Sequence, residues 1–172
     1  MTWLIGLLCA AATTLSAQDL NPQLRLADDL DYPGEGYCID VIGVGASARQ
    51  DLPLVMHNCI PNKRTLDRYA FVDIDRIYMP GYDACVTALG VTTVLPGVPL
   101  MLRPCGVDES FLFADRFQRF ERTQNDQLRL VGSDLCLAAG HSSRHTYNRA
   151  HRWRTLTLET CSTVPPALSV WN

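Results

Sequence analysis

The 172-residue sequence lacks the short motifs that commonly mark an enzyme. It has no Gly-x-Ser-x-Gly nucleophile elbow, no His-Glu-x-x-His pair and no glycine-rich loop that would cradle a phosphate. Paired carboxylates occur at Asp28 with Asp29 and at Asp73 with Asp75, but such pairs in loops or at strand edges are more often solvated than catalytic. A glycosidase would need two carboxylates across a cleft. We therefore expect a protein that is not an enzyme and holds no cofactor.

The sequence also lacks a strong excess of charge of either sign. Its 15 Lys and Arg residues and 18 Asp and Glu residues give a formal net charge of −3 at pH 7. This mildly acidic balance provides no general attraction to nucleic acid or to an anionic membrane. We expect no nucleic-acid partner, and composition alone indicates no other partner.

A hydrophobic run long enough to span a membrane is missing too. The uncharged apolar run at residues 3–15 is shorter than the ~20 residues that a spanning helix needs. Small residues follow it up to Ala17, which resembles the cleavage site of a secretory signal. We predict a signal peptide at residues 1–17, a mature start at Gln18 and no transmembrane segment in the mature chain. No Lys or Arg precedes the apolar run, so retention as an uncleaved anchor stays open.

Six of the seven cysteines form three similar units within residues 18–172, a length that suits a single domain. The first cysteines of the units, Cys38, Cys85 and Cys136, lie 47 and 51 residues apart. The second cysteine of each unit follows the first by 21, 20 and 25 residues. A regular period of this size is typical of a repeat protein.

Six cysteines allow fifteen pairings, so the sequence does not prove a connectivity. The repeat favours pairing within each unit, because any other scheme would make the three units unequal. Each such bond would stabilise the fold by about 3 kcal/mol in the chain-entropy model. Disulfides persist in an oxidising compartment, so we expect a secreted or periplasmic protein. The favoured pairs are Cys38 with Cys59, Cys85 with Cys105 and Cys136 with Cys161.

Alternation of apolar and polar residues, with turn residues between the runs, predicts an all-β chain. No stretch shows a helical period longer than two turns, and Pro-Gly pairs fall between the runs, where turns need them. The three predicted repeats cover about residues 22–72, 73–122 and 123–172, with four strands in each. The predicted strands are residues 23–26, 37–41, 54–58, 69–72, 76–79, 84–89, 100–103, 116–122, 127–131, 135–138, 155–160 and 167–171.

The units share more than their cysteines. Asp40 follows Cys38 by two residues, and an aromatic residue follows each second cysteine at a similar distance, at Tyr69, Phe117 and Trp171. These features resemble the ricin-type (ricin B-like) β-trefoil lectin family, whose repeats carry a Cys-x-Asp strand, an internal disulfide and a Gln-x-Trp signature. The tryptophan is kept once and the glutamine in no unit. The resemblance implies a β-trefoil of three four-stranded repeats, each with an internal disulfide, and the aromatics are expected to fill its core.

The same resemblance implies a carbohydrate site in the first unit. The family places a carboxylate two residues after the first cysteine and an aromatic ring two residues before the second, and these positions hold Asp40 and His57. The carboxylate would bind sugar hydroxyls and the ring would cover the sugar's C–H face. Asn58 and Asp67 complete the predicted site, although the direct alignment places Leu66 where the family has a further amide. Alternatively, Asp40 caps a turn or pairs with a nearby arginine, and His57 is an ordinary surface residue at the end of a strand.

The second and third units lack this pair. The equivalent residues are Thr87 and Arg103 in the second unit, and Ala138 and Glu159 in the third. The resemblance is therefore degenerate in these repeats. It implies an exported lectin that binds a saccharide or glycoconjugate weakly, through a single site.

Residues 141–154 are the most cationic stretch of the chain, with four arginines, three histidines, two aromatics and no acid. Arg144, Arg149, Arg152 and Arg154 suit an anionic ligand or the docking of another extracytoplasmic protein. In the alternative interpretation, some of these arginines pair with the acidic arm before the first unit. The acids of that arm are Asp28, Asp29, Asp31 and Glu35.

A metal site at His141, His145 and His151 is not expected, because no helix aligns them and no spare cysteine completes a tetrahedral set. The leading functional hypothesis is the one-site lectin. The alternative is a non-catalytic protein-interaction or structural subunit that docks through residues 141–154. A third hypothesis, a protease inhibitor, would need a rigid protruding loop that the sequence does not reveal.

Overall fold

The chain forms mainly β structure. The computed structural model describes residues 23–60, 70–72 and 75–172, and for residues 70–72 the backbone alone. No helix in these ranges is both long and apolar enough to cross a membrane. Two four-residue helices and a single 3₁₀ turn accompany the strands. The strands are β1 (Tyr37–Asp40), β2 (Val55–Asn58), β3 (Ala70–Val72), β4 (Arg76–Met79), β5 (Ala84–Ala88), β6 (Leu100–Arg103), β7 (Phe120–Arg122), β8 (Leu128–Leu130), β9 (Leu135–Ala139), β10 (Arg144–His145) and β11 (Arg152–Thr160); the helices are α1 (Ala114–Phe117) and α2 (Pro166–Ser169), and the 3₁₀ turn is Gly45–Ser47.

The strands form two antiparallel sheets that curl around one core. The larger sheet has the order β1-β2-β11-β9-β8-β7, with β10 paired to β11, and the smaller has the order β3-β4-β5-β6. Backbone hydrogen bonds join the sheets: Leu54 donates to the Leu100 carbonyl at 2.8 Å, and Leu158 donates to the Val98 carbonyl at 3.0 Å. The apolar faces of both sheets are thereby buried against each other.

The core contains the aromatic residues that the sequence predicts for it. Phe117 and Trp171 are each 1% exposed. The Trp171 indole donates to the Leu137 carbonyl at 3.1 Å, so its one polar group is satisfied inside the core. Two of the three predicted core aromatics are thus confirmed as buried, while Tyr69 lies outside the described residues.

One disulfide joins the two cysteines of each unit, which confirms the predicted pairing. The Cα atoms are 5.0 Å apart in Cys38–Cys59 and Cys85–Cys105 and 4.9 Å apart in Cys136–Cys161, within the usual range for a disulfide. In every unit the first cysteine lies opposite the residue two positions before the second cysteine. The opposed pairs are Cys38 with His57, Cys85 with Arg103 and Cys136 with Glu159.

Several predicted strands differ from the observed elements. The strand predicted at 116–122 begins only at Phe120, because the Asp108 carboxylate accepts the Ala114 N–H at 2.8 Å and starts the helical turn α1. The strand predicted at 167–171 is largely α2, since proline at its first turn has a backbone angle already suited to a helix. Residues 23–26 form isolated bridges at Arg25 and Leu26 and no continuous strand.

The disulfide of the third unit can be tested by replacing Cys136 and Cys161 together with serine. We expect the free energy of unfolding to fall by about 3 kcal/mol, because the open chain gains conformational entropy in the unfolded state. Urea unfolding under oxidising conditions measures the change, and Ser162→Ala, at an exposed neighbouring position, is the control. An unfolding midpoint of the unaltered protein that does not move when reductant is added would contradict the stabilising role of the disulfides.

Candidate functional site

The first and third units form the two walls of an open groove of about 850 Å³. The surface of the groove is mainly apolar, with carboxylate, imidazole and amide groups placed around it. Residues 40–57 provide one wall and residues 145–153 the other. The lining residues are Asp40, Val41, Ile42, Gly43, Val55, His57, His145, Thr146, Tyr147, Asn148, His151 and Trp153.

The pairing of β2 with β11 brings the two walls together. Trp153 lies opposite His57 in the sheet, and Thr155 lies opposite Val55. On its other side the start of β11 pairs with β10, where Arg144 lies opposite Trp153. The cationic stretch 141–154 therefore folds beside the predicted sugar-binding pair, and the two candidate sites of the sequence become one groove.

Asp40 and His57 lie side by side on the first wall, at the end of β1 and in β2. Their side chains are 22% and 18% exposed, and the Asp40 Oδ2 atom is 3.8 Å from the His57 Nδ1 atom. The second carboxylate oxygen accepts the Val41 N–H at 2.7 Å. The carboxylate is thus held in place at the groove surface and is partly exposed to solvent.

A glycine shapes the rim of this wall. Gly43 has a φ of +96°, and a Cβ atom at this position would lie 2.2 Å from the Ser47 carbonyl oxygen. An L side chain fits neither the conformation nor the space, so the turn requires glycine. The turn leads into the Gly45–Ser47 3₁₀ segment and sets the height of the rim next to Asp40.

The second wall supplies aromatic faces that the sequence analysis did not assign to the site. The rings of His57 and His151 are 5.1 Å apart, with an angle of 35° between their planes. Trp153 is 39% exposed and Tyr147 is fully exposed. The sequence places these residues in a separate loop, because nothing in it reveals that β2 pairs with a strand almost one hundred residues later. In the structure Tyr147 and Trp153 line the same groove as Asp40.

The other two residues of the predicted carbohydrate site have different positions. Asn58 is 3% exposed. Its amide donates to Glu35 at 2.6 Å and accepts the Arg152 N–H at 3.1 Å, so its polar atoms bond within the protein. Asp67 lies outside the described residues. Asn58 thus joins the acidic arm to the start of β11.

Two of the four predicted docking arginines are bound by the acidic arm. The Asp31 carboxylate accepts hydrogen bonds from Arg152 at 2.5 Å, from Arg154, from Ser143 at 2.5 Å and from Tyr37 at 2.8 Å. Burial opposes ionisation of Asp31, but the hydrogen bonds from Ser143, Arg154 and Tyr37 and the charge of Arg154 outweigh it and hold the pKa of Asp31 well below its usual value. Asp31 thus fastens the cationic stretch to the first unit.

Arg154 is almost fully buried by this arrangement. Its side chain is 5% exposed, and its guanidinium carbon lies 4.7 Å from the centre of the Tyr37 ring. It also donates to the carbonyls of Gly140 and His141 at 2.8 and 2.9 Å. Arg144 and Arg149, in contrast, have exposed side chains. The arginines of this stretch with exposed side chains are therefore Arg144, in β10, and Arg149, in the loop that follows it.

In the second and third units, the residues equivalent to Asp40 and His57 make contacts within the protein. Thr87 is 2% exposed and accepts a hydrogen bond from Gln118 at 3.1 Å, and Ala138 is fully buried. The Arg103 Nε atom lies 3.4 Å from the Glu109 Oε2 atom, and the Glu159 carboxylate accepts a hydrogen bond from the Thr157 hydroxyl at 2.8 Å. The polar side chains at these positions therefore have partners within the protein.

No group of three or more His, Cys, Asp or Glu side chains in the described parts of the chain is placed to hold a metal ion. His145 and His151 both line the groove, whereas His141 contributes its carbonyl to Arg154 and has an exposed side chain. The three histidines of the cationic stretch therefore have different surroundings.

The Asp31 contacts predict a specific dependence of stability on pH. The pKa of Asp31 is lower in the folded protein than the usual value of 3.8, so the ionised carboxylate stabilises the fold above that pH, and this stabilisation is lost as the pH falls below it. Asp31→Asn should therefore lower the free energy of unfolding at pH 7, and the difference from the unaltered protein should shrink below pH 3.8. Urea unfolding between pH 3 and pH 7 measures both effects.

The matched control for this prediction is Asp51→Asn. Asp51 is also paired with an arginine, Arg49, but both side chains are more than half exposed, and such surface pairs contribute little to stability. We expect no measurable change in this variant at pH 7. Equal effects of the two substitutions at pH 7, or an Asp31→Asn effect that is the same at all pH values, would contradict the role given to Asp31.

Comparison with known proteins gives no family to which the chain can be assigned. The sequence matches no protein-family model, and it has no significant match among curated proteins. The resemblance to ricin-type lectins remains a prediction that depends on the residues quoted above.

Proposed function

We propose that the protein is an exported, non-catalytic carbohydrate-binding domain with a ricin-type β-trefoil fold and one saccharide site. The observation that carries the proposal is that the Asp40 carboxylate and three exposed or half-buried rings share a single open groove. These rings belong to His57, Tyr147 and Trp153. The site would combine two units of the chain, with the family's pair on one wall and an aromatic wall from the third unit.

The equivalence of the three units supports the β-trefoil part of the proposal. Each unit has a disulfide-linked pair of strands in the same register, at β1–β2, β5–β6 and β9–β11. The three strand pairs meet through Leu54, Leu100 and Leu158, which take part in the hydrogen bonds between the sheets. A threefold arrangement around one core accounts for both features.

The chemistry of the groove suits a sugar ring. The Asp40 carboxylate would accept hydrogen bonds from adjacent hydroxyls, and the ring of Trp153 would cover the C–H face. Since the groove is open, much of a bound sugar would remain in solvent, which limits the apolar area that binding removes from water. We expect dissociation constants of about 0.1–1 mM for a monosaccharide, as is usual when few contacts oppose the entropy of binding.

Export accounts for the three disulfides and for the start of the sequence. Disulfides of this kind persist outside the reducing cytosol. The apolar run at residues 3–15 followed by small residues would direct the chain there. The proposed location is secreted or periplasmic.

A protein-docking function is the second candidate, favoured by the loop between β10 and β11. Tyr147 is fully exposed at this loop, and the side chain of Arg149 is exposed beside it. A large aromatic side chain and an arginine together are typical of the residues that dominate protein interfaces. In this case another extracytoplasmic protein would contact the loop, and Asp40 would not be required.

A glycan array probed with the oxidised protein and two variants distinguishes these functions. Asp40→Ala should abolish selective glycan binding because it removes the acceptor for the sugar hydroxyls, whereas Arg149→Ala should retain it. Arg152 is unsuitable for this comparison, since it is bound to Asp31 and its loss would disturb the fold. Binding that survives Asp40→Ala would refute the site, and no binding to any glycan would favour the docking function.

Tryptophan fluorescence provides an independent measurement of the same site. Trp153 is 39% exposed in the groove and Trp171 is 1% exposed in the core, so a saccharide should alter the emission of Trp153 alone. A glycan identified on the array should change the emission saturably, and Trp153→Phe should remove the change while the Trp171 emission remains. Saturable binding by calorimetry without any change in emission would place the ligand elsewhere.

A further inference from the structure

We infer that the saccharide of this groove is acidic, bearing a carboxylate or a sulfate, and that it binds more tightly as the imidazoles of the groove take up protons. The inference depends on the proposed function and specifies its ligand class. It comes from the balance of ionisable groups around the groove, which the resemblance to a lectin family does not supply.

Three imidazoles line the groove, from His57, His145 and His151. Asp40 is the one acidic residue among the lining residues in the described part of the chain. Histidine is the side chain that ordinarily gains a positive charge as the pH falls through about 6.5, whereas a carboxylate remains ionised there. Protonation of the imidazoles would therefore change the lining from a net negative to a net positive charge.

The close contact between two of the rings links their protonation to the binding of an anionic ligand. The ring centres of His57 and His151 are 5.1 Å apart, so protonation of both places like charges next to each other. Asp40, with its carboxylate 3.8 Å from His57, can balance one of these charges. An anionic group of a ligand beside the edges of both rings would balance the second. Binding of the anion and uptake of the proton therefore favour each other, and each must raise the affinity for the other equally.

The surrounding charges do not cancel this preference. Arg152 and Arg154, on β11, are paired with Asp31, and Glu35 bonds to Asn58 behind His57. Across the rim, Arg49 and Asp51 pair with each other. Arg144 and Arg149, which belong to the same stretch as His145 and His151, have exposed side chains and do not line the groove.

The apolar surface of the groove indicates a sugar that carries the charge, in preference to a free phosphate or sulfate ion. Val41, Ile42, Val55 and Trp153 line the space around the imidazoles. A bare inorganic anion would leave this surface in contact with water. A uronic acid or a sulfated sugar covers it with its C–H face and places its charge near the rings.

The experiment is a glycan array of matched pairs, in which each neutral glycan has counterparts with a carboxylate and with a sulfate, probed with the oxidised protein at pH 7.5 and pH 5.5. We expect acidic members to bind at both pH values and their affinity to rise about tenfold at pH 5.5, as expected for linkage to about one proton. Comparison of the carboxylate and sulfate members identifies the charged group. The affinity for neutral glycans should change little.

Three variants assign the pH effect to the groove. His151→Gln and His145→Gln keep a polar side chain of similar size but cannot take up a proton, and at least one of them should lose most of the tenfold gain. His141→Gln is the matched control, because this histidine belongs to the same stretch but does not line the groove. Thermal melting at both pH values establishes whether each variant is folded. If one of the two groove variants does not fold, the other still tests the inference.

The outcomes separate this inference from the proposed function. Selective binding of neutral glycans without preference for their acidic counterparts would overturn the inference and leave the lectin function intact. A pH gain that survives in both groove variants would also overturn it. No binding to any glycan at either pH would refute the lectin function, and the inference with it.

Discussion

The groove depends on one long strand, β11, which pairs with three other strands. The second half of β11 pairs with β9 inside the third unit, and its first half continues beyond β9 to pair with β2 and β10. A strand that ended where β9 ends would leave His57 without Trp153 opposite it. The groove therefore exists because nine consecutive residues of β11 stay extended while their partner strand changes.

Two of the four arginines in residues 141–154 have a structural role, because they are bound to Asp31. Asp31 accepts hydrogen bonds from four side chains, and it allows Arg154 to be buried against the Tyr37 ring. Arg154 is 5% exposed, so the loss of Asp31 would leave a buried charge without its carboxylate partner. The groove wall is thus attached to the first unit through side chains that do not line the groove.

The sequence predicts the features that depend on nearby residues or on the repeat. The similar spacing of cysteines in the three units predicts the disulfides, and the position of Trp171 after Cys161 predicts a buried ring. It does not predict the groove, because the register of His57 against Trp153 joins residues from different units and leaves no periodic pattern. The same applies to Asn58: its position suggested a sugar ligand, whereas contacts with Glu35 and Arg152 use its amide within the protein.

The contacts of Asp31 with Arg152 and Arg154 join residues 121 and 123 positions apart. Contacts of such separation close a long loop, and they form after the local hairpins because the entropy of closure must be overcome first. The disulfide-linked hairpin of the first unit can form without them, but it carries only one wall of the groove. The complete groove is therefore the last feature that the folding chain acquires, because its second wall is attached to the first unit through Arg152 and Arg154.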